Sequence, residues 1–227
     1  MTPEDRDPLT RWLDRPEVLS DVRQRNPVVD GHSVTPLSLE TWRRYTPHPA
    51  ARRLASEYEG RTISRLDLAI HAGEALTQPD EERWVRAYMA CQIWGVGTTG
   101  RVGWTGRTLA DPDAPAAFAQ LARAVQDGQP ERAAGNWAYG WNRSFTTKFA
   151  YAVSKALNLA SPAALVYDER VEKQLRRIGW RFPMTRGGRT PWRKYAGYLD
   201  AVHAEALRLD CQPDTIEWVL FAPPANS

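Results

Sequence analysis

Lys148 and Asp168 are the side chains whose types and spacing point most directly to covalent chemistry in this 227-residue chain. Lys148 lies in Arg143-Ser-Phe-Thr-Thr-Lys-Phe-Ala-Tyr-Ala-Val-Ser, where Phe145, Phe149, Ala152, Val153 and Ala156 recur at helical spacing and predict a buried face. The lysine falls on the edge of that face, near the helix start, where the helix dipole disfavours a cation. Partial burial and the charge of Lys155, two turns on, act in the same direction. A neutral amine held this way is a nucleophile. The position equally suits a lysine that buries its methylenes and keeps its ammonium in water. Asp168 follows the apolar run Ala164-Leu-Val-Tyr and precedes a helical pattern, which is an N-cap position. A capping carboxylate is ionised and fixed by backbone donors, so it serves as a plain cap or as a fixed carboxylate in a site.

The elements that must position these groups are helices. Seven prolines in residues 1–50 restrict that segment to short helices, at 8–14, 16–24 and 36–44. Helices are predicted over 50–59 and 61–76, the second with Ile63, Leu66, Ile70 and Leu76 on one face. Pro79-Asp-Glu-Glu82 opens another that runs through Ile93. From Trp94 to Arg107 the glycine density predicts a loop. Further helices are predicted over 113–127, stopped by Gly128, then 130–139, 145–158, 168–179, 191–209 and 213–221. Ala164–Tyr167 is the best strand signal and is four residues long. The fold class is therefore all-α: one helical unit over 1–227, or two lobes, with residues 1–129 unplaced and the chemistry in 130–221.

Gly95-Val-Gly-Thr-Thr-Gly100 matches a dinucleotide-binding glycine pattern, but that reading needs a preceding strand, and a helix precedes it here. The glycines then read as a loop that lets backbone approach something closely. His32, His48, His71 and His203 are scattered, so surface or capping roles are expected and no metal ligand set is formed. Cys91 and Cys211 are too few for a disulfide framework or a zinc ribbon and read as reduced packing thiols. No apolar run approaches the roughly 20 residues of a membrane span, and the charged N-terminus is unlike a signal peptide. A cytoplasmic, nucleoid-associated monomer is expected.

Charge supplies the partner. The chain is +3 overall, yet residues 141–195 carry twelve Lys or Arg against three acids, a net +9, which leaves the remainder at −6. Such a block is the footprint of a polyanion partner. If that partner is DNA, Arg101 and Arg107 on the glycine loop are placed to touch phosphate.

The order and spacing of these residues resemble helix–hairpin–helix DNA glycosylases of the 8-oxoguanine type. Those proteins carry a lysine near the start of the second hairpin helix and, after a short apolar run, an aspartate opening the next helix. Thr-Thr-Lys148 and Val-Tyr-Asp168 are similar, 20 residues apart. Arg170 falls where the family places a phosphate contact. Glu217-Trp-Val-Leu-Phe221 is similar to the family's last helix, in which a glutamine and a phenylalanine hold the extruded base, with glutamate in the amide position. The hairpin itself, Tyr139-Gly-Trp-Asn-Arg-Ser144, departs from the family's glycine-rich turn. The resemblance covers residues 130–221.

The resemblance implies a base extruded from double-stranded DNA. It implies Lys148 as the nucleophile at C1′, Asp168 as its carboxylate, and a Schiff base that leads on to β-elimination. Phe221 would stack on the base and Glu217 would accept hydrogen bonds from two adjacent donors, which favours a purine such as 8-oxoguanine. Arg143, Arg170, Arg176 and Arg177 would meet phosphates, as would the helix start at Ser144, Thr146 and Thr147. No cofactor is implied. The alternatives are a glycosylase acting on a hypermodified phage base in defence, a non-catalytic helix–hairpin–helix DNA-binding module, and an all-α interaction protein without nucleic acid.

Overall fold

The computed structural model describes residues 7–96, 102–135, 143–180 and 191–225. Thirteen α-helices run through them, with a single two-residue β-ladder, so the fold is all-α. The chain divides into two compact units, residues 30–164 and residues 1–29 with 165–227.

The 30–164 unit contains α3 (Leu39–Tyr45), α4 (Pro49–Glu57), α5 (Arg65–Thr77), α6 (Glu81–Gly95), α7 (Val102–Leu109), α8 (Ala114–Gln126), α9 (Pro130–Gly135) and α10 (Arg143–Leu157). Proline, serine or aspartate marks most of the starts. Pro49 begins α4 behind the His48 ring, whose Nδ1 accepts from the Ala50 amide. Ser64 and Asp67 close a capping box on α5. That box begins α5 at Arg65 rather than at 61, because β2 (Ile63–Ser64) pairs antiparallel with β1 (Ser33–Val34) just before it. The predicted apolar face of α5 is also corrected. Leu66 and Ile70 are exposed, and the buried side is Arg65, Leu68, Ala69, Ala72 and Ala75. Small residues win there because α5 packs closely on both α6 and α10.

α10 lies against α5, α6, α8 and α9, and every residue from Phe145 to Lys155 is buried. A one-sided amphipathic helix was the expectation; packing on four neighbours buries it all round. Its aromatic core runs from Trp84 through Phe149 to Phe118, which stacks on Tyr88 at 4.6 Å. Stacked aromatic pairs add about 0.5–1.5 kcal/mol beyond their buried area.

The expected loop from Trp94 to Arg107 is shorter than its glycine content suggests. Residues 102–109 are helical as α7, and 97–101 lie outside the described residues. Gly106 is there for clearance: a Cβ would come within 1.8 Å of the Tyr45 carbonyl oxygen of α3. Thr105 Oγ1 ties α7 to the Gln92 side chain of α6 at 3.0 Å. Gly128, at φ +70°, ends α8 in the left-handed conformation that glycine adopts without strain.

The other unit holds α1 (Pro8–Leu13), α2 (Pro16–Arg25), α11 (Glu169–Arg177), α12 (Pro191–Leu209) and α13 (Pro213–Phe221). α13 packs on α2, α11 and α12. Arg25 of α2 caps the end of α13 through the carbonyls of Trp218 and Ala222, at 3.1 and 2.8 Å, with its guanidinium 5.0 Å over the Trp218 ring. The strand expected at 164–167 does not form. Its backbone bonds to side chains instead: Tyr195 Oη accepts from the Leu165 amide at 3.1 Å and donates to its carbonyl at 2.7 Å, and Tyr198 Oη donates to the Val166 carbonyl at 3.1 Å.

Candidate active site

Lys148 sits in the second turn of α10 and is 4% exposed. Its Nζ donates to Ser144 Oγ, one turn earlier, at 2.6 Å, and lies 5.9 Å from the Phe145 ring centre. The side chain reaches this position across the end of α6. A Cβ at Gly95 would stand 2.5 Å from Lys148 Cδ and 2.7 Å from Cε. One turn earlier on α6, Cys91 Sγ donates to the Lys148 carbonyl at 3.7 Å, and burial pushes that thiol up to about 12, so it stays protonated and inert. Lys148 thus does not snorkel; its amine is held in packed surroundings by a hydroxyl.

Lys155, on the same stripe of α10, is paired. Its Nζ is 2.7 Å from the Asp30 carboxylate and it is fully buried. The sequence reading used Lys155 as a positive neighbour acting on Lys148. The Asp30 carboxylate offsets that charge locally.

Asp168 belongs to the other unit, at the N-cap of α11. Its Oδ1 accepts from the Arg170 and Val171 amides at 2.9 and 3.1 Å. The carboxylate is therefore fixed by two backbone donors, and the tyrosine-bonded segment before it fixes the backbone that carries it. Glu217 is 1% exposed on α13. Tyr198 of α12 feels the charge of both acids. Its hydroxyl is held well above the ordinary phenol value, first by burial and then by the negative charge of Glu217, with smaller contributions from Tyr195, Tyr167 and Asp168. Phe221, one turn after Glu217 on α13, is half-buried, and the Arg170 guanidinium lies 4.9 Å over its ring. Asp168, Arg170, Glu217 and Phe221 thus belong to one unit, and Lys148 to the other.

The remaining expected DNA contacts divide. Arg176 and Arg177 are exposed in the last turn of α11, Arg176 held by Glu172 at 2.6 Å. Arg107 is exposed on α7, stacked 5.0 Å from Trp104. The side chains of Thr146 and Thr147 are fully buried, and Thr147 Oγ1 donates to the Ser144 carbonyl at 3.3 Å. α10 begins at Arg143, and the first four amides of an α-helix have no partner within the helix itself. Ser144 itself is occupied with Lys148. Arg101 and the Arg143 side chain lie outside the described residues.

The sequence reading missed Gly95 and the role of Ser144. The signals were present: Ser144 stands four residues before Lys148, on the same helix face, and Gly95 is the first of the glycine-rich stretch that was expected to admit a close approach. What approaches is the lysine side chain. Among the described residues no three His, Cys, Asp or Glu side chains gather as a metal site, and no helix is long and apolar enough to cross a membrane.

No curated protein and no solved structure matches the chain. A family model described as "putative 8-oxoguanine DNA glycosylase OGG-like protein" matches residues 27–221, which takes in most of the N-terminal half that residue patterns alone left unplaced. The chain belongs to this OGG-like family of DNA glycosylases.

Proposed function

We propose that the protein is a DNA glycosylase with β-lyase activity that removes an 8-oxoguanine-like purine through a lysine Schiff base. The observation that carries this reading is the placement of Lys148: a lysine 4% exposed, near the start of a fully packed helix, with its amine on a hydroxyl. A lysine that served only solubility has no reason to be taken out of water, since ordering and desolvating an ammonium is costly.

In the proposed reaction the target nucleotide is extruded, because its sugar carbon cannot be reached within the stack. The Lys148 amine attacks C1′. The glycosidic C1′–N bond breaks, and its electron pair leaves with the base, which takes up a proton. Asp168 carries the negative charge that stabilises the sugar as positive charge develops on it. Loss of the amine proton and opening of the sugar ring give the C1′=N Schiff base. Removal of a C2′ proton then expels the 3′ phosphate, which nicks the strand, and water releases the lysine. Phe221 offers the face on which the base stacks. Glu217 accepts from the N1–H and exocyclic amine of a guanine-type edge, two adjacent donors that a cytosine lacks.

The test is a panel of duplexes, each with one modified base, incubated with the protein with and without borohydride. The reading expects base release and strand cleavage on 8-oxoguanine duplex, and a borohydride-dependent covalent complex. Base release with neither nicking nor a covalent complex would leave a glycosylase without the lyase step. Selective cutting at a hypermodified pyrimidine would instead favour the defence reading.

A further inference from the structure

Two aromatic side chains stand out among the exposed large apolar groups of the described residues: Tyr45, 41% exposed, and Trp104, 50% exposed. The remaining ones are aliphatic. Both aromatics belong to the 30–164 unit, on helices that pack together, Tyr45 ending α3 and Trp104 in the first turn of α7. The contact is tight, since the Tyr45 carbonyl fills the space that a side chain at Gly106 would need. Arg43 and Arg44 are exposed beside Tyr45, and Arg107 is exposed one turn after Trp104 with its guanidinium on the indole. Other arginines of this unit meet carboxylates, as in Arg53–Glu82, Arg83–Asp80 and Arg86–Glu57, or backbone carbonyls, as Arg52 meets that of Thr46. No ion pair involves Arg43, Arg44 or Arg107 among the described residues.

We propose that this α3–α7 surface binds an unpaired stretch of DNA, with Trp104 and Tyr45 as stacking platforms and Arg43, Arg44 and Arg107 at phosphates. Flat aromatic faces beside uncompensated arginines are what single-stranded nucleic acid requires, because every base has a face to stack and every linkage a charge to meet. A paired duplex buries its base faces and uses only the arginines. The anchoring of α7 by Gly106 and Thr105 holds Trp104 on a rigid element, so little ordering is lost on binding. The surface rests on DNA as the partner but not on the Lys148 chemistry, and it lies outside the basic block of residues 141–195.

The experiment measures binding of labelled oligothymidylate, about 12 nucleotides long and so within the usual site size, alongside an unmodified duplex. Trp104→Ala is expected to weaken single-strand binding by about 5- to 150-fold, the loss of one stacked base, with duplex binding nearly unchanged and the melting temperature intact. Combined Arg43→Ala, Arg44→Ala and Arg107→Ala should lower the single-strand salt slope by about 2 units. Wild-type single-strand affinity in the Trp104 variant, or an equal loss on intact duplex, overturns the proposal. Borohydride trapping on lesion duplex, scored in parallel, separates the two readings. Trapping without Trp104-dependent single-strand binding overturns this surface alone, whereas Trp104-dependent binding without trapping overturns the lyase step alone.

Discussion

Gly95 and Lys148 are matched by absence: the missing side chain of one is the space through which the methylenes of the other pass, with Cδ 2.5 Å from where a Cβ would be. Because the obstructed atoms belong to a flexible side chain, Gly95→Ala is expected to fold normally and to shift the amine. A misplacement of about 1 Å at a reacting group costs on the order of 100-fold. Covalent trapping should therefore slow by about that factor, while lesion-duplex affinity and the melting temperature hold. A lowered melting temperature with an unchanged trapping rate would make Gly95 a packing residue only.

Tyr195 satisfies both backbone groups of Leu165, three residues before Asp168. Tyr195→Phe leaves a buried N–H and a buried C=O without that partner, at about 1–3 kcal/mol for each group. Urea unfolding should show a loss of about 2–6 kcal/mol for the two groups together, and the trapping rate should fall as the Asp168 segment loosens. Unchanged stability would mean that the Leu165 backbone finds other partners.

Stability should also depend on His71. Its ring is buried and bonded to Tyr58 Oη at 3.1 Å, and its pKa is lowered from 6.5 by burial and by the nearby Arg86, against an opposing contribution from Glu74. A base whose folded value lies below its unfolded value is protonated first in the unfolded chain. The His71 contribution to stability is thus complete above the ordinary value of 6.5 and is lost as pH falls through it, until the folded form takes up the proton as well. His71→Gln keeps hydrogen-bonding atoms and removes the titration. It should flatten the melting temperature between about pH 7 and pH 5. An identical slope in both proteins would assign the acid sensitivity elsewhere.

The base pocket is tested at Phe221. Phe221→Ala should weaken lesion-duplex binding by about 5- to 150-fold, the worth of one stacked base, and barely affect undamaged duplex, whose bases stay stacked. Glu217→Gln keeps an acceptor and should be tolerated if the edge it reads presents two donors. Arg170→Ala should lower the salt slope by about 1 if the guanidinium leaves Phe221 for a phosphate when DNA binds. Equal losses for Phe221→Ala on both duplexes, with a lower melting temperature, would return that ring to the core.

The helices were legible because their punctuation is local. Pro8, Pro16, Pro49, Pro130, Pro191 and Pro213 each begin a helix where a proline reads as a start. Asp168 read correctly as an N-cap for the same reason. What stayed hidden depends on distant neighbours. The α5 face was misread because alanines, not Leu66 and Ile70, meet α6 and α10. The apolar run 164–167 looked like a strand but has tyrosine hydroxyls rather than a strand as partner. α7 was hidden because Gly103 and Gly106 read as loop residues, whereas Gly106 serves a contact 61 positions away in sequence, with Tyr45. At the candidate site, residue types and order were legible, but the path of Lys148 across Gly95 and the stacking of Arg170 on Phe221 are tertiary facts.

The central claim is that Lys148 forms the covalent bond to the sugar. The chain has four lysines, Lys148, Lys155, Lys173 and Lys194, so the bond can be located directly. After borohydride reduction on lesion duplex, digestion and mass spectrometry of the cross-linked peptide should place the sugar remnant on Lys148, and Lys148→Gln should give no cross-link while still binding the duplex. A remnant on Lys155, Lys173, Lys194 or the terminal amine, or undiminished cross-linking in Lys148→Gln, would contradict the account.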